Sequence, residues 1–288
     1  MASWATCPLE HSSEQLLKIN ALLALAPAYD APPSALRNPQ EIARREKFQE
    51  LKGARKELKF LEEQFSGQFL YKGGFEKQKA TEQFFKNNAP QYGILHLAVH
   101  GIVDHEKPEL SGLALEEDSS TVHDNFLYAY EIKQLELQKT QLVVLAACKT
   151  GDGQLQNGEG ILSIGRSFMY AGVPSLLTTL WNLNDFTSPM IIEEFYRNLS
   201  NGMEKDEALQ KAKTDYLKKV RGIDAHPQLW ACFTQVGDYA AIKIEKRGAQ
   251  ALQAYMGYGI AGLAGLLLSL ILVIRRKQAL ATREGKPN

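Results

Sequence analysis

The chain has 288 residues, a hydrophobic content of 44%, and 33 basic against 33 acidic residues. This length and composition exclude wholesale disorder and allow one large domain with appendages. Because the net charge is zero, no overall field favours nucleic acid, and nucleic acid is not expected as a partner. The three cysteines form no CxxC pair and the six histidines lack a zinc-binding spacing, so neither a metal site nor another cofactor is expected.

The N-terminal part of the chain is predicted to contain an irregular segment, two helices and a short strand. Residues 1–40 are expected to be irregular, because the stretch APAYDAPPSALRNP is rich in turn residues. Apolar residues at helical spacing predict a helix over 41–65. The stretch GQFLYKGG predicts a short strand and a turn, and residues 77–88 are predicted to form a second helix.

The middle of the chain alternates between apolar stretches and helical patterns. Strands are predicted in YGILHLAVHG, LSGLALEED, TQLVVLAAC, VPSLLTTLWNL and PQLWACFTQVGD. A turn of helix is predicted in NFLYAYEIKQL, and a longer helix in GEGILSIGRSFMYAG that stops at Gly172. Further helices are predicted over 187–199 and 203–220. This alternation predicts an α/β fold around a mainly parallel sheet.

The C-terminal part differs in composition from the rest. Residues 255–274, YMGYGIAGLAGLLLSLILVI, contain no charged side chain. A helix of that length is about 30 Å long, which is enough to cross the hydrocarbon core of a bilayer. We therefore predict a linker over 240–254, a transmembrane helix over 255–274 and a basic tail over 275–288. A buried core helix is the alternative interpretation.

Small residues recur every four positions within this span, at Gly257, Ala261, Gly265 and Ser269. Such spacing lets two helices approach closely and predicts a homodimer through this face, although small residues are also common in spans by chance. Basic residues after the span favour a cytoplasmic tail. The lack of a signal peptide favours instead a C-terminal anchor that leaves the large domain in the cytosol. We expect the cytosolic placement.

Two of the predicted strands end on reactive side chains. ILHLAVHG ends in His100 and Gly101, and VVLAAC ends in Cys148, 48 residues after the histidine. Neighbouring parallel strands would bring the imidazole and the thiol to one edge of the sheet, where the imidazole would lower the thiol pKa. The backbone N–H groups of Gly101 and Cys148 could then form an oxyanion hole. The alternative is a buried core thiol and a turn histidine.

Four separated blocks resemble the CHAT domain, a cysteine peptidase type related to caspases and separases. The blocks are LHLAVHG, the stretch from VVLAACKTGDG to LWNLND, FYRNLSNGMEKDEALQKAK and HPQLWACFTQVGD, in the expected order over 54–238. The resemblance implies a caspase-like three-layer sandwich over 41–239 with a mostly parallel central sheet. It implies His100 as general base and Cys148 as nucleophile, and latency until an activating partner rearranges the site. The sequence AACKTG departs from the caspase pattern QAC[RQG]G but is similar to the CHAT one.

The stretch LLTTLWNLNDFTSP is the candidate for substrate specificity. Ser188 followed by Pro189 predicts a helix start capped by the serine, which frees Asp185 from capping. In separases an acidic residue of this region faces a basic P1 side chain. By that resemblance, Asp185 and Trp181 are predicted to bind substrate, with arginine or lysine at P1. The alternative for Asp185 is a solvated loop aspartate or a different cap.

These features together predict a membrane-anchored cysteine endopeptidase that acts on a protein or peptide substrate. A catalytically silent peptidase-like scaffold or signalling module is the main alternative. A weaker alternative is an acyltransferase or amidase that uses the same dyad. The intact His100 and Cys148 favour the endopeptidase.

Overall fold

The computed structural model describes most of the chain up to residue 247. It covers residues 18–19, 22–29, 48–75, 78–104, 106–117, 124–146, 148–149, 159–181, 184–244 and 246–247, with the backbone alone described at 18–19, 148–149, 159–162 and 243. The chain divides into two units, residues 1–245 and 246–288. Among the described residues no helix is both long and apolar enough to cross a membrane. The predicted span over 255–274 and its small-residue face lie outside the described residues.

Twelve strands lie within the described ranges. They are Lys18–Ile19 (β1), Leu22–Ala26 (β2), Gly67–Tyr71 (β3), Ile94–Leu97 (β4), His100–Ile102 (β5), Gly112–Ala114 (β6), Phe126–Tyr128 (β7), Leu142–Leu145 (β8), Cys148–Lys149 (β9), Ser175–Thr179 (β10), Phe233–Gly237 (β11) and Lys243–Ile244 (β12). The same ranges hold seven α-helices. They are Lys52–Gln64 (α1), Glu82–Asn88 (α2), Ala129–Ile132 (α3), Glu159–Tyr170 (α4), Ser188–Ser200 (α5), Lys205–Lys219 (α6) and Pro227–Trp230 (α7).

The central sheet has six strands in the order β11-β10-β8-β4-β2-β3. Its strands are parallel except for β11, which runs antiparallel to β10. A second sheet has the order β7-β6-β5-β9, and β1 pairs with β12. The predicted mixed α/β fold around a mostly parallel central sheet is therefore confirmed.

Helices cover both faces of the central sheet, which makes three layers. Along β2, Leu22 and Ala24 belong to one apolar core, whereas Leu23 and Leu25 belong to the other. The first core is completed by side chains of α1, α5 and α6, and the second by side chains of α2, α3 and α4. Complete burial of each leucine contributes about 1.5–3 kcal/mol, so both faces of the strand stabilise the fold.

The expectation that residues 1–40 are irregular is wrong for two segments, because Lys18–Ile19 forms β1 and Leu22–Ala26 forms β2. Leu22–Ala26 forms β2, which pairs with β4 on one side and with β3 on the other. All five residues of the strand are buried. The continuous apolar run LLALA suits a parallel strand that is covered on both faces, and the proline at position 27 ends it.

Two predicted strands are each divided in two by the structure. The stretch YGILHLAVHG forms β4 in the central sheet and β5 in the second sheet, and TQLVVLAAC likewise forms β8 and the start of β9. The backbone N–H of Ala98 still bonds to the carbonyl of Leu25, so the chain leaves the central sheet just after that residue.

Several element boundaries also differ from the predictions. Helix α1 begins at Lys52, since residues 48–51 are not helical, and α2 begins at Glu82, where the Thr81 side chain accepts a hydrogen bond from Phe84 N–H. The stretch NFLYAYEIKQL holds a strand, β7, before its helical turn, and PQLWACFTQVGD holds α7 before β11. Helix α4 stops as predicted, because Gly172 takes a φ of 106° that suits glycine.

Candidate active site

The register of the strands brings His100 and Cys148 together. In the central sheet β4 pairs with β8 so that His96 lies opposite Val144, and in the second sheet β5 pairs in parallel with β9 so that His100 lies opposite Cys148. The offset of 48 residues is therefore the same before and after the bend. Neighbouring strands lie about 4.8 Å apart, so the two Cα positions are within reach of a shared ligand.

The imidazole of His100 is held in an aromatic enclosure. His100 is only 4% exposed, and its ring stacks on the ring of Phe48, with the ring centroids 5.1 Å apart and the ring planes 14° from parallel. The ring of Tyr29 packs against the imidazole from another side, with the two ring centroids 4.8 Å apart. The Tyr29 hydroxyl accepts a hydrogen bond from His100 N–H at 3.1 Å and donates one to the Ala114 carbonyl at 2.9 Å. The strand and the ring are thus fixed by residues that are far away in sequence.

The hydrogen bonds of the ring define which nitrogen carries the proton. His100 Nε2 lies 2.6 Å from the carbonyl oxygen of Gln49, which can only accept, so Nε2 is the protonated nitrogen. Nδ1 is buried and makes no hydrogen bond with any residue that the structure describes. Burial lowers the pKa of His100, and the Gln49 carbonyl and the Asp185 carboxylate oppose this effect. A neutral ring therefore keeps its lone pair on Nδ1.

A small pocket lies directly beside these residues. Two of its lining residues are Ala98, two positions before His100, and Ala146, two positions before Cys148. It is lined by Leu51, Ala54, Glu57, Ala98, Ala146, Asp185 and Ser188. The pocket thus combines apolar walls with two carboxyl groups, and it adjoins the position where the two strands meet.

Asp185 lines this pocket but also caps a helix. Its Oδ1 accepts a hydrogen bond from the backbone N–H of Gly53 at 2.9 Å, in the first turn of α1. Leu51, the residue before α1, has no polar side chain to do so, and a carboxylate is favourable at this end of a helix dipole. The alternative of a different cap for Asp185 thus has a structural basis.

The predicted helix start at Ser188 is wrong by one residue. Thr187 precedes α5, and Ser188 is its first helical residue. Two backbone N–H groups of this turn, those of Phe186 and Thr187, donate to the Asn184 side chain instead. The Ser188 hydroxyl is thereby available for a contact with another helix.

That contact is part of a buried polar network that the sequence did not reveal. Ser188 Oγ donates to Glu57 at 2.5 Å, and the other carboxylate oxygen of Glu57 lies 3.2 Å from His96 Nε2. His96 Nδ1 in turn lies 3.2 Å from the Tyr196 hydroxyl. Burial, with the nearby Glu57 charge, raises the pKa of Tyr196 well above its ordinary value. The His96 side chain is 0% exposed, so the network lies inside the fold.

The other predicted site residues have these positions. Gly101 lies opposite Lys149 of β9 and opposite Leu113 of β6. The indole N–H of Trp181 donates to the carbonyl of Gln228 at 2.9 Å, and the ring packs partly against the core. The described residues that line the pocket do not include Trp181.

Comparisons with known proteins match most of the chain. The family model of the CHAT domain matches residues 10–238. Tetratricopeptide repeat protein 28 of Mus musculus is 30% identical over 122 residues, which is 42% of this chain and 5% of that protein, and the Homo sapiens protein gives the same figures. The chain thus spans a small fraction of these relatives. The crystal structure of the Arg-specific cysteine proteinase gingipain R matches with a TM-score of 0.48 and 11% identity, over 78% of this chain and 48% of that chain.

Proposed function

Because the chain belongs to the CHAT domain family, we propose that it is a cysteine endopeptidase with a caspase-like three-layer fold. In this proposal His100 is the general base and Cys148 the nucleophile. The observation that carries it is the parallel register of β5 on β9, in which His100 and Cys148 are direct partners. Reacting groups of α/β proteins lie beyond the carboxyl ends of strands, which is where both residues occur.

The proposed reaction begins with proton transfer from the thiol to His100. The lone pair belongs on Nδ1, since Nε2–H donates to Gln49, and the lowered pKa keeps the ring neutral near pH 7. The thiolate then attacks the scissile carbonyl, and the C–O electron pair moves onto oxygen to form an oxyanion. Backbone N–H groups of Gly101 and Cys148 are proposed as its donors.

The second half of the reaction returns the proton. The oxyanion collapses, the C–N bond breaks, and the imidazolium gives its proton to the leaving amine. The remaining thioester is hydrolysed by water that His100 deprotonates, which releases the acid product and the free thiol. Gln49 fixes the ring throughout through its carbonyl, so an acidic third residue is not required to orient the base.

We propose that Asp185 faces a basic P1 side chain beside this pocket. The pocket itself has room for about one water molecule, and both carboxylate oxygens of Glu57 are already hydrogen-bonded. The exposed carboxylate of Asp185 is therefore the group that suits the charge of arginine or lysine. The pocket begins two residues from each member of the dyad, as expected for the residue next to the scissile bond. Trp181 is proposed to contribute from outside the pocket.

The test compares fluorogenic peptides that differ only at P1, with arginine or aspartate. The full chain should cleave the arginine peptide, and Cys148→Ala should abolish cleavage. Asp185→Asn should lower kcat/KM by about 10- to 100-fold, because it removes the carboxylate that would pair with the charged P1 side chain. Preference for aspartate, or an unchanged rate in Asp185→Asn, would refute the proposed pairing of Asp185 with a basic P1 side chain. Cleavage that survives Cys148→Ala would refute the mechanism.

We also propose that residues 255–274 anchor the chain in a membrane and leave the catalytic domain on the cytosolic side. The support is the sequence alone, which carries no charge over this span. Self-association through Gly257, Ala261, Gly265 and Ser269, and activation by a partner, are further parts of the proposal. Extraction of the chain from membranes by alkaline carbonate would refute the anchor, and unchanged self-association of Gly265→Ile in detergent would refute the dimer face.

A further inference from the structure

We propose that helix α1 is a positioning element that holds the general base and the Asp185 loop in one fixed geometry, with Gly53 as the residue that joins them. The proposal rests on the peptidase function proposed above. Three contacts carry it, and they come from Gln49, Gly53 and Glu57, which are spaced by four residues. Each contact reaches a different part of the site.

The first contact holds the imidazole. The carbonyl of Gln49, in the segment that leads into α1, accepts the Nε2–H hydrogen bond of His100 at 2.6 Å. Phe48, one residue earlier, stacks on the same ring. The position of α1 therefore sets both the tautomer and the orientation of the ring.

The second contact holds the pocket. Gly53 N–H donates to Asp185 Oδ1 at 2.9 Å, and the two chains approach so closely that a side chain has no room. A Cβ built on Gly53 would lie 2.4 Å from the Asp185 carbonyl oxygen and 2.5 Å from its Oδ1. Such distances require the loop or the helix to move. Glycine is thus needed here for close approach.

The third contact anchors the helix. Glu57, whose side chain is 2% exposed, accepts from Ser188 at the start of α5 and also contacts His96 on β4. Asp185 lies in the turn just before Ser188, so α1 bonds to this region at two positions, through Gly53 and through Glu57. A movement of α1 would disturb the base and the pocket together, and misplacement by about 1 Å can cost a hundredfold in rate.

The test uses Gly53→Ala, with Lys52→Ala as the matched control, since Lys52 is the exposed neighbour on the same turn. Both are made in the full chain that carries Cys148→Ala, and NMR of the ring nitrogens follows the tautomer and titration of His100. The charged or titratable groups to consider around the ring in these variants are Tyr29 and Asp185, because position 148 is then alanine. This readout does not need an active enzyme, so it is separate from the test of the peptidase function.

We expect Lys52→Ala to keep the Nε2–H tautomer, and Gly53→Ala to give a mixture of tautomers and a changed His100 pKa. With Cys148 restored, Gly53→Ala should lower kcat/KM about a hundredfold and move the acid limb of its pH profile, which a merely structural loss would leave in place. The proposal is overturned if His100 titrates with the same tautomer and pKa in Gly53→Ala and in Lys52→Ala. If Gly53→Ala does not fold, Asp185→Ala removes the same hydrogen bond. Its readout is the tautomer of His100, because loss of the Asp185 charge by itself changes the His100 pKa, and an unchanged Nε2–H tautomer there also overturns the proposal.

Discussion

Replacement of Glu57 by alanine tests the buried network most severely. The change leaves two buried donors without an acceptor, the Ser188 hydroxyl and the His96 Nε2–H. Each unsatisfied donor costs about 1–3 kcal/mol, so we expect Glu57→Ala to lower the free energy of unfolding by about 4 kcal/mol. For a chain of this size that loss lowers Tm by about 10 °C.

The assay is thermal and urea unfolding of the full chain, followed by circular dichroism. Glu63→Ala is the matched control, because Glu63 is an exposed glutamate on the same helix, and it should change stability by less than about 0.5 kcal/mol. Glu57→Gln keeps hydrogen-bonding capacity and should cost only about 1–2 kcal/mol. Equal stabilities of Glu57→Ala and Glu63→Ala would refute the argument that this network holds α1 to α5.

Three further predictions concern backbone strain, pH and thiol reactivity. Gly237→Ala should lower the free energy of unfolding in urea by at least about 2 kcal/mol more than Gly202→Ala does. Both glycines have a positive φ, but only at Gly237 would a Cβ meet a neighbouring atom, the Pro174 carbonyl oxygen at 2.2 Å. Equal losses in the two variants would contradict this. Burial lowers the pKa of His100, so the unfolded chain binds more protons than the folded one below the ordinary histidine pKa of about 6.5. The free energy of unfolding should therefore fall as the pH drops from about 6.5 through the lowered pKa, and His100→Gln should lose this part of the slope in urea titrations; an unchanged slope would contradict the assignment. Burial raises the pKa of Cys232 to about 11, so iodoacetamide near pH 7.5 should leave it unmodified in the folded chain; alkylation at the rate of the denatured chain, seen by mass spectrometry, would contradict its burial.

Much of the fold could be predicted because its signals are local. Apolar runs such as LVVL indicate strands that are covered on both faces, and Gly172 marks the end of α4. Whether β4 and β8 are neighbours was left open by the sequence, and it is the structure that pairs them. By contrast, β2 was missed, because LLALA lies in a stretch whose prolines and polar residues suggest turns, and only its neighbours in the sheet make it a strand.

The candidate site was predictable only in part, for a related reason. The chemical types of His100 and Cys148, each at the end of an apolar run, drew attention to them from the sequence. Gln49 could not be found in this way, because it acts through its backbone carbonyl, which every residue has. The buried face of α1 offered one signal, since Glu57 lies directly before Leu58 and three residues after Ala54, among residues that pack in the core.

The most direct measurement of the central claim is covalent labelling at Cys148. The full chain is incubated with a peptidyl acyloxymethylketone that has arginine at P1, and its intact mass and peptide map are recorded. The account predicts one adduct, located on Cys148, that is lost in Cys148→Ala and forms much more slowly in His100→Ala. An adduct on another residue, equal labelling in His100→Ala, or no labelling of the wild-type chain with any added activator would contradict it, and the last result would favour a catalytically silent scaffold.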